Sequence, residues 1–598
     1  MTKKLLLPML LCVAASACFS LLNIAFAPDA SALAFPVSLA FSALAARASY
    51  RFAGAAPDAA KLPLARKLYQ YLPFALLAAF VLRRAGARGT AYALDAASVL
   101  LWLASAVCSR LALYQMDERR VYGRNPALAG TRPAPRGKAR GVRRLARELL
   151  EWADALVQAV FAVALINIFV VQLYEIPSES MVPEFLIGDR LVVFKTPSGS
   201  RFPLSEVGIP RLRTYRRGDV VVFRNPHYPQ DRKAELRSFV SQLVFMITFT
   251  KVNLNVDESG APKADPLVKR LAGLPGEQLL MQDGVLYARR DSGAFQPVAD
   301  DARWAEWNAA ALPDRTQRSV RTIPLSREQY EELTALERRR NALTYRGAQA
   351  ELAGLADRFR RVRAQTNGAS PPGAAYAALF APADLAEYRL FSQNDALTRK
   401  LLTADGGELW LEHFLTDWAS AVPAAAFAGD APPDAARPET LAGGDLYRDA
   451  NFRLNLLIKR VFAGLVVRNA ELTREGRPSA LWNADGERRA LLAEAETLHA
   501  YAALLDSRNM PAFPPNAPDG SPRFIPGGEF FMVGDNRFNS LDMRHSYERR
   551  LKPLAPADPL SVRYYSNLSP QSVPARSILG SPLVRVWPPS RLGIRVRR

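Results

Sequence analysis

Residues 174–194 read YEIPSESMVPEFLIGDRLVVF. An apolar run of about the length that crosses a bilayer precedes the stretch, and a Gly-Asp turn followed by a β-branched run closes it. A membrane-type segment therefore gives way to strand-forming sequence within a few residues. The same stretch sets two serines, Ser178 and Ser180, around Glu179 with no histidine nearby. A serine hydroxyl is a weak nucleophile until a base removes its proton, so the stretch asks what that base is.

Toward the N-terminus, apolar runs lie near residues 5–27, 33–46, 68–82, 91–113 and 153–173. The first, fourth and fifth approach the roughly 20 residues that a spanning helix needs; the second and third are shorter. The opening MTKKLLLPMLLCVAASACFS also has the form of a secretory signal with a lipoprotein-like site at 15–18, but the additional apolar runs favour a spanning helix. The chain of 598 residues carries a formal net charge of +21. Much of the excess sits between two apolar runs, at Arg119, Arg120, Arg124, Arg132, Arg136, Lys138, Arg140, Arg143, Arg144 and Arg147. That placement reads as juxtamembrane charge and not as a nucleic-acid surface. Residues 116–147 then stay cytoplasmic, and the run ending near residue 173 delivers the rest of the chain to the far side. Arg83, Arg84 and Arg88 would fall outside in a five-span arrangement, against the usual bias. The three cysteines, Cys12, Cys18 and Cys108, all lie in apolar segments, which leaves the polar region no disulfide framework and no cysteine metal cluster.

Toward the C-terminus the pattern changes to short β-branched runs punctuated by Gly-Asp and entered or left through tight turns: GDRLVVF at 188–194, RGDVVVF at 217–223, GVLYARR at 284–290 and GGEFFMVGDN at 527–536. These predict a mostly β core. A block over 292–524 interrupts it. Its most regular part opens with a capping-box pair, Ser326 and Gln329, and sets Leu352, Leu355, Phe359 and Val362 at helical spacing. Stretches near 421–444 and 509–528, rich in Ala, Pro and Gly, read as linkers. The expected fold is N-terminal transmembrane helices followed by a mostly β catalytic domain with a large, partly helical insertion added beside it. The expected division is a multi-span region over 1–113, a basic cytoplasmic loop over 114–152 and a spanning helix over 153–173. The β domain occupies 174–291 and 525–598, with the insertion over 292–524 between its parts.

The candidate bases are few. The four histidines are His227, His413, His499 and His545, and none stands in a Gly-x-Ser-x-Gly context. A lysine can serve when burial lowers its pKa. Lys269, at the end of an apolar approach through Leu267 and Val268 and just before Leu-Pro-Gly, is the best placed; by the residues alone the position also suits a solvated lysine beside Arg270.

Four ordered motifs bear on the choice through a resemblance. Pro-Ser-Glu-Ser-Met-Val-Pro at 177–183 is followed by Gly188-Asp189; then come Arg-Gly-Asp-Val-Val-Val-Phe at 217–223, Lys-Arg-Leu-Ala-Gly-Leu-Pro-Gly at 269–276 and Gly-Asp-Asn-Arg-Phe-Asn-Ser-Leu-Asp-Met-Arg at 534–544. In this order, after an apolar run, they resemble the type I signal peptidases, the membrane-anchored leader peptidases of bacteria. The spelling GDNRFNSLDMRHS resembles spirochaete members. The resemblance covers roughly 153–287 and 529–587. It implies that Ser180 is the nucleophile and Lys269 its general base, that Ser178 joins the Ser180 N–H in holding the oxyanion, and that Ser540 orients the lysine amine. Asp542 and Arg544 match a supporting ion pair. Tyr174, Ile176, Pro177, Met181, Phe185, Leu267 and Val268 match the wall of a pocket for small residues; each also suits an ordinary β core. Phe538 departs from the family, which has Asp after the Arg, so an ion pair made by that Asp is missing here.

Two neighbouring features have separate readings. TPSGSRF at 196–202 contains Pro-Ser-Gly-Ser, but without the Met-x-Pro continuation, so Ser198 and Ser200 read as turn residues. FVSQLVFMITF at 239–249 suits either a segment against the bilayer or a core strand.

The resemblance implies a serine endopeptidase that removes signal peptides from exported precursors through a Ser/Lys dyad, with no cofactor and no metal. Its partners would be signal-peptide-bearing precursors, membrane lipid and the export translocon, with no nucleic acid. Its place would be the cytoplasmic membrane, multi-pass, with the catalytic domain on the extracytoplasmic side. A non-catalytic membrane scaffold retaining a protease shell, or a self-cleaving Ser/Lys protease, is the alternative.

Overall fold

A computed structural model describes residues 3–26, 33–53, 58–86, 92–124, 141–229, 231–248, 252, 254–256, 260, 263–368, 379–423, 427 and 445–593. Residues 125–140, half of the basic segment over 116–147, and most of the linker at 421–444 lie outside them.

The N-terminal part is a bundle of α1 (Lys3–Phe26), α2 (Ala34–Ala53), α3 (Leu62–Gly86) and α4 (Tyr92–Gln115), after which come the short α5 (Glu118–Arg124) and the long α6 (Val142–Phe169). Three helical segments, Lys4–Phe26, Tyr92–Gln115 and Arg144–Phe169, are long and apolar enough to cross a membrane. These coincide with the three longer apolar runs. The bundle buries small and polar residues where helices meet: Ser20 and Ser38 share a 2.7 Å hydrogen bond, and Ser49 and Tyr69 another at 2.7 Å. Its outer surface exposes Leu10, Leu44, Leu100 and Leu111, as a lipid-facing surface requires.

The last apolar run does not stay helical to residue 173. Helix α6 ends at Phe169, and β1 (Val171–Glu175) comes directly after it. Lys195 and Thr196, just after β2 (Arg190–Phe194), explain the stop. Lys195 Nζ donates to the carbonyl oxygen of Asn167 at 2.8 Å and Thr196 Oγ1 to that of Phe169 at 2.6 Å, taking up main-chain acceptors that a continuing helix would use.

The main sheet has seven strands in the order β1-β2-β13-β3-β4-β9-β12, all neighbours antiparallel. The members not yet placed are β3 (Val220–Phe223), β4 (Leu267–Gly273), β9 (Glu529–Val533), β12 (Val573–Pro574) and β13 (Ile578–Trp587). Strand β3 is buried along its whole length, which its unbroken Val-Val-Val-Phe run permits. Its alternate residues enter two cores. Val221 and Phe223 join Leu271, Met281, Phe531 and Met543, whereas Val220 and Val222 join Ile176, Met181, Phe185 and Leu191. The Gly-Asp pairs are strand-entry turns: Gly188 and Gly218 have φ of 84° and 88°, and Asp189 Oδ2 accepts from the Leu186 N–H at 2.9 Å.

A second sheet runs β7 (Gln296–Pro297), β6 (Val285–Arg289), β5 (Gln278–Gln282) and β8 (Met510–Phe513), and β10 (His545–Pro553) pairs with β11 (Arg563–Leu568). The block over 292–524 is therefore knitted into the β domain, since its last strand, β8, pairs with β5. Its helices include α8 (Arg327–Asn341), whose capping box of Ser326 and Gln329 is formed, and α9 (Tyr345–Asn367), which buries Leu352, Phe359 and Val362. These join the long Leu446–Arg474 helix in one apolar core that also takes in Leu554, Val562 and Tyr564 from the C-terminal β part. Each such side chain contributes about 1.5–3 kcal/mol by leaving water. A module standing apart from a finished β core is thus corrected to one that shares a core with it. The stretch at 239–249 is not a strand either: residues Arg232–Ile247 form a helix, α7.

Candidate active site

The extended turn that carries both serines is closed by main-chain bonds. Ile176 N–H donates to the Asp189 carbonyl and Gly188 N–H to the Ile176 carbonyl, both at 2.9 Å, so the turn begins and ends at one point beside β2. Met181 and Phe185 anchor its underside in the smaller of the two β cores, with Tyr174 and Val268 packed against it. Ser180 is left 7% exposed. Ser178, nearer the rim, donates from its Oγ to Ser180 Oγ at 3.3 Å.

Lys269 comes from the middle of β4, registered against Val221 of β3. Alternation along β4 sends it inward with Leu271, and its Nζ lies 2.5 Å from Ser180 Oγ in a hydrogen bond. The lysine is 3% exposed. Burial pushes its pKa down to about 8, partly opposed by the Asp542 and Asp535 carboxylates. The solvated reading of this position is excluded by that burial.

The third element is the turn after β9. Gly534 is required by close approach: a Cβ there would meet Ser540 Oγ at 2.1 Å and the Ser180 carbonyl oxygen at 2.4 Å. Asn536 N–H donates to that same Ser180 carbonyl at 3.2 Å, pinning the serine loop to the turn. Asp542 accepts from the Gly534 N–H at 2.9 Å and forms a two-pronged pair with Arg544, both residues wholly buried. Burial alone would raise the Asp542 pKa, but the Arg544 guanidinium and the accepted hydrogen bonds outweigh it and hold the carboxyl below its usual range. Ser540 sits at this turn with its Oγ buried and without a hydrogen-bond partner among the described residues.

Of the residues matched to a pocket wall, Tyr174, Ile176, Met181, Phe185 and Val268 share the core beneath the serine turn, while Pro177 is exposed at the rim. Leu267 packs on the opposite face of the sheet, against the core that contains Leu271. The decoy serines lie elsewhere. Ser198 ends a short turn and accepts from the Tyr215 hydroxyl at 2.8 Å, and Ser200 Oγ donates to the Phe169 carbonyl at 3.3 Å.

His545 stands one residue past Arg544 but bonds to Asn567 Oδ1 at 3.2 Å, and burial with the adjoining Arg544 lowers its pKa to about 4. The described partners of the Ser180 hydroxyl are Lys269 and Ser178.

Several residues around the site carried no signal of their own in the sequence. Glu179, between the serines, is buried and accepts from the Arg321 and Thr322 main-chain N–H groups and from Asn539 Nδ2. Arg537 pairs at 2.6 Å with Asp301, a residue of the inserted block. Phe538, where the family has Asp, packs edge-on against Trp307 and Tyr330. Trp304 lies over Arg270 and against Gly218. The start of the inserted block therefore forms one wall around the serine turn. Its contact residues are far apart in sequence, so no local pattern announces them.

The model of the family described as "Signal peptidase, peptidase S26" matches residues 149–330. This span takes in Ser178, Ser180 and Lys269, and it stops before the 534–544 turn. Among curated proteins, the chain is 31% identical over 133 residues to a signal peptidase I of Pseudomonas fluorescens, covering 22% of this chain and 47% of that protein. It is 35% identical over 81 residues to the signal peptidase I of Pseudomonas aeruginosa, covering 14% and 28%. A signal peptidase I of Buchnera aphidicola subsp. Baizongia pistaciae matches at 42% over 65 residues, covering 11% and 21%. The chain thus spans about half the length, or less, of these relatives. With the ordered motifs and the antiparallel sheet, these matches make residues 149–330 a stretch that fits the signal peptidase S26 family and is similar to the type I signal peptidases.

Proposed function

We propose that this protein is a membrane-bound signal peptidase that cuts exported precursors at a single peptide bond by a Ser180/Lys269 dyad. The observation that carries the reading is the contact of Lys269 Nζ with Ser180 Oγ at 2.5 Å in a site where burial favours the neutral amine. The neutral amine accepts the hydroxyl proton while Ser180 Oγ bonds to the scissile carbonyl carbon. The resulting ammonium returns the proton to the departing amine as the C–N bond breaks, leaving an acyl-enzyme. Water, deprotonated by the same amine, then attacks the acyl carbon; as the ester bond to Ser180 Oγ breaks, the ammonium returns the proton to that oxygen, and the carboxyl product leaves.

The remaining residues take supporting roles. Ser178 and the Ser180 main-chain N–H are the oxyanion donors. Asp542 and Arg544 hold the Gly534 turn against the serine loop, and Ser540, whose hydroxyl has no partner among the described residues, is the positioning residue for the amine. Tyr174, Ile176, Pro177, Met181, Phe185, Leu267 and Val268 are proposed for the pocket, and the apolar core beneath the serines favours small substrate side chains there. Leu267 lies on the Lys269 face of β4, against the core that contains Leu271.

The three long apolar helices support membrane attachment. We place the catalytic domain on the extracytoplasmic side of the cytoplasmic membrane, with a multi-span region over 1–113, a basic cytoplasmic loop over 114–152, the spanning segment after it, and the β domain in two parts around the 292–524 block. Precursors, membrane lipid and the export translocon are its proposed partners.

The test is direct. Purified full-length protein in detergent should process a precursor carrying Ala-x-Ala before its cleavage site, and Ser180→Ala should leave the precursor intact. A folded, purified protein that processes no such precursor would contradict the reading.

A further inference from the structure

Where α6 ends and the β domain begins, the structure holds a cavity of about 550 Å³. Its walls come from separate parts of the chain: Arg84 at the end of α3, Ile168 at the end of α6, Lys195, Arg224, Arg232 and Phe239 on α7, and Arg576 before β13. Basic side chains outnumber acidic ones along this lining. Of the two acids, Glu206 is paired with Arg201 and Glu235 faces Arg224 at 3.4 Å. Arg84 is tied to the Leu204 carbonyl at 2.6 Å and to Asp95 at 3.4 Å, and Lys195 to Asn167 and Gln172.

Arg232 is different. Its Nε and Nη2 are buried and have no hydrogen-bond partner among the described residues. These two nitrogens form one edge of the guanidinium, which presents two parallel N–H donors and matches two oxygens of a single phosphate or carboxylate. Unpaired donors buried in this way are costly unless a ligand supplies the acceptors. Other cations crowd the same space: burial lowers the Lys195 pKa to about 8 with Arg224 adding to the effect, and burial together with Arg84 lowers that of Arg232.

The position narrows the anion. The cavity opens at the C-terminal end of a helix long and apolar enough to cross a membrane, and apolar Ile168 and Phe239 share its wall with the cations. That is the level at which a bilayer places its phosphates, with acyl chains on one side and water on the other. We infer that this cavity binds the phosphodiester headgroup of an anionic phospholipid, held through the Nε–Nη2 edge of Arg232. The inference rests on the membrane-spanning reading of α6. Bound lipid would fix the height of the β domain, and so of Ser180, above the bilayer.

Native mass spectrometry of the full-length protein in detergent tests this with phosphatidylglycerol, phosphatidylcholine and inorganic phosphate as probes. The chain should retain phosphatidylglycerol at lower concentration than phosphatidylcholine, and Arg232→Gln should weaken that retention about tenfold or more, the scale of a lost charge-assisted pair. Arg232→Lys should restore part of it. Because the Arg232 edge has no partner among the described residues, Arg232→Gln should unfold at the wild-type temperature or above when lipid is absent. If that variant does not fold, Arg576→Gln, at an exposed residue of the same lining, carries the same test. Equal retention of the two lipids, unchanged retention in Arg232→Gln, or binding of inorganic phosphate without phosphatidylglycerol would each overturn the inference. Alkaline extraction of membranes reads the spanning helix separately: a chain that is extracted contradicts the membrane reading, whatever the lipid titration gives.

Discussion

At the residue scale the site is a set of short distances that depend on groups from three sequence regions. Ser180 and Lys269 meet at 2.5 Å, and Gly534 lets the supporting turn approach the Ser180 carbonyl. The pair was legible because each partner sits in a dense local motif, and the missing histidine directed attention to lysine. Glu179, Asp301 and Arg537 were not legible, because what they do depends on partners up to hundreds of residues away. The two serine pairs make the sharpest contrast. Ser178→Ala removes a donor to the Ser180 hydroxyl and, on the proposed mechanism, should lower turnover about ten- to a thousand-fold, the range for one oxyanion donor. Ser198→Ala, which loses only a contact with Tyr215, should leave turnover nearly unchanged. Steady-state kinetics on one precursor checks both, and an inactive, folded Ser198→Ala enzyme would transfer the nucleophile role to the wrong motif.

At the element scale, strands entered through Gly-Asp were readable because the turn and the β-branched run are both local signals. Helix α8 was readable from its capping box for the same reason. The last apolar run misled at its end: composition does not distinguish a helix that continues from one whose carbonyls are taken by Lys195 and Thr196. The inserted block misled more deeply, since its linkers suggested a separate module whereas Asp301 and Glu306 reach the 534–544 turn. Asp301 gives the test. It and Arg537 are buried at 4% and 0% exposure, so Asp301→Ala leaves a buried guanidinium without its counter-charge and should cost about 3–5 kcal/mol. The thermal unfolding midpoint should fall clearly. An unchanged midpoint would mean that the inserted block does not brace the site.

At the scale of the whole molecule, charge and apolar length outlined the N-terminal part, but Arg83 and Arg84 stood against the positive-inside pattern. The structure gives them work at that end of the bundle. Arg83 pairs with Asp95 and donates to Asn23 at 2.5 Å, while Asp95 accepts from Ser205 of the β domain at 2.7 Å. Phe202 from the same loop packs edge-on against Phe80, Trp102 and Phe169. Arginines consumed in docking the bundle to the β domain are weak guides to orientation, which leaves the basic loop over 116–147 as the determinant. Protease added to intact spheroplasts should therefore cut within the region after residue 173 and spare 116–147. Protection of the β domain until lysis would reverse the orientation.

If a neutral Lys269 amine is the base, the pH dependence of kcat/KM on one precursor is the decisive measurement. Burial lowers the lysine pKa in the folded protein, so the active neutral form is scarce below that pKa and dominant above it. The rate should rise with pH through an apparent pKa of about 8, and Lys269→Arg, which keeps its proton throughout, should show no such rise and no activity. A profile already flat across that range, with Lys269→Arg still active and His545→Ala inactive, would contradict the lysine base and give the proton to histidine.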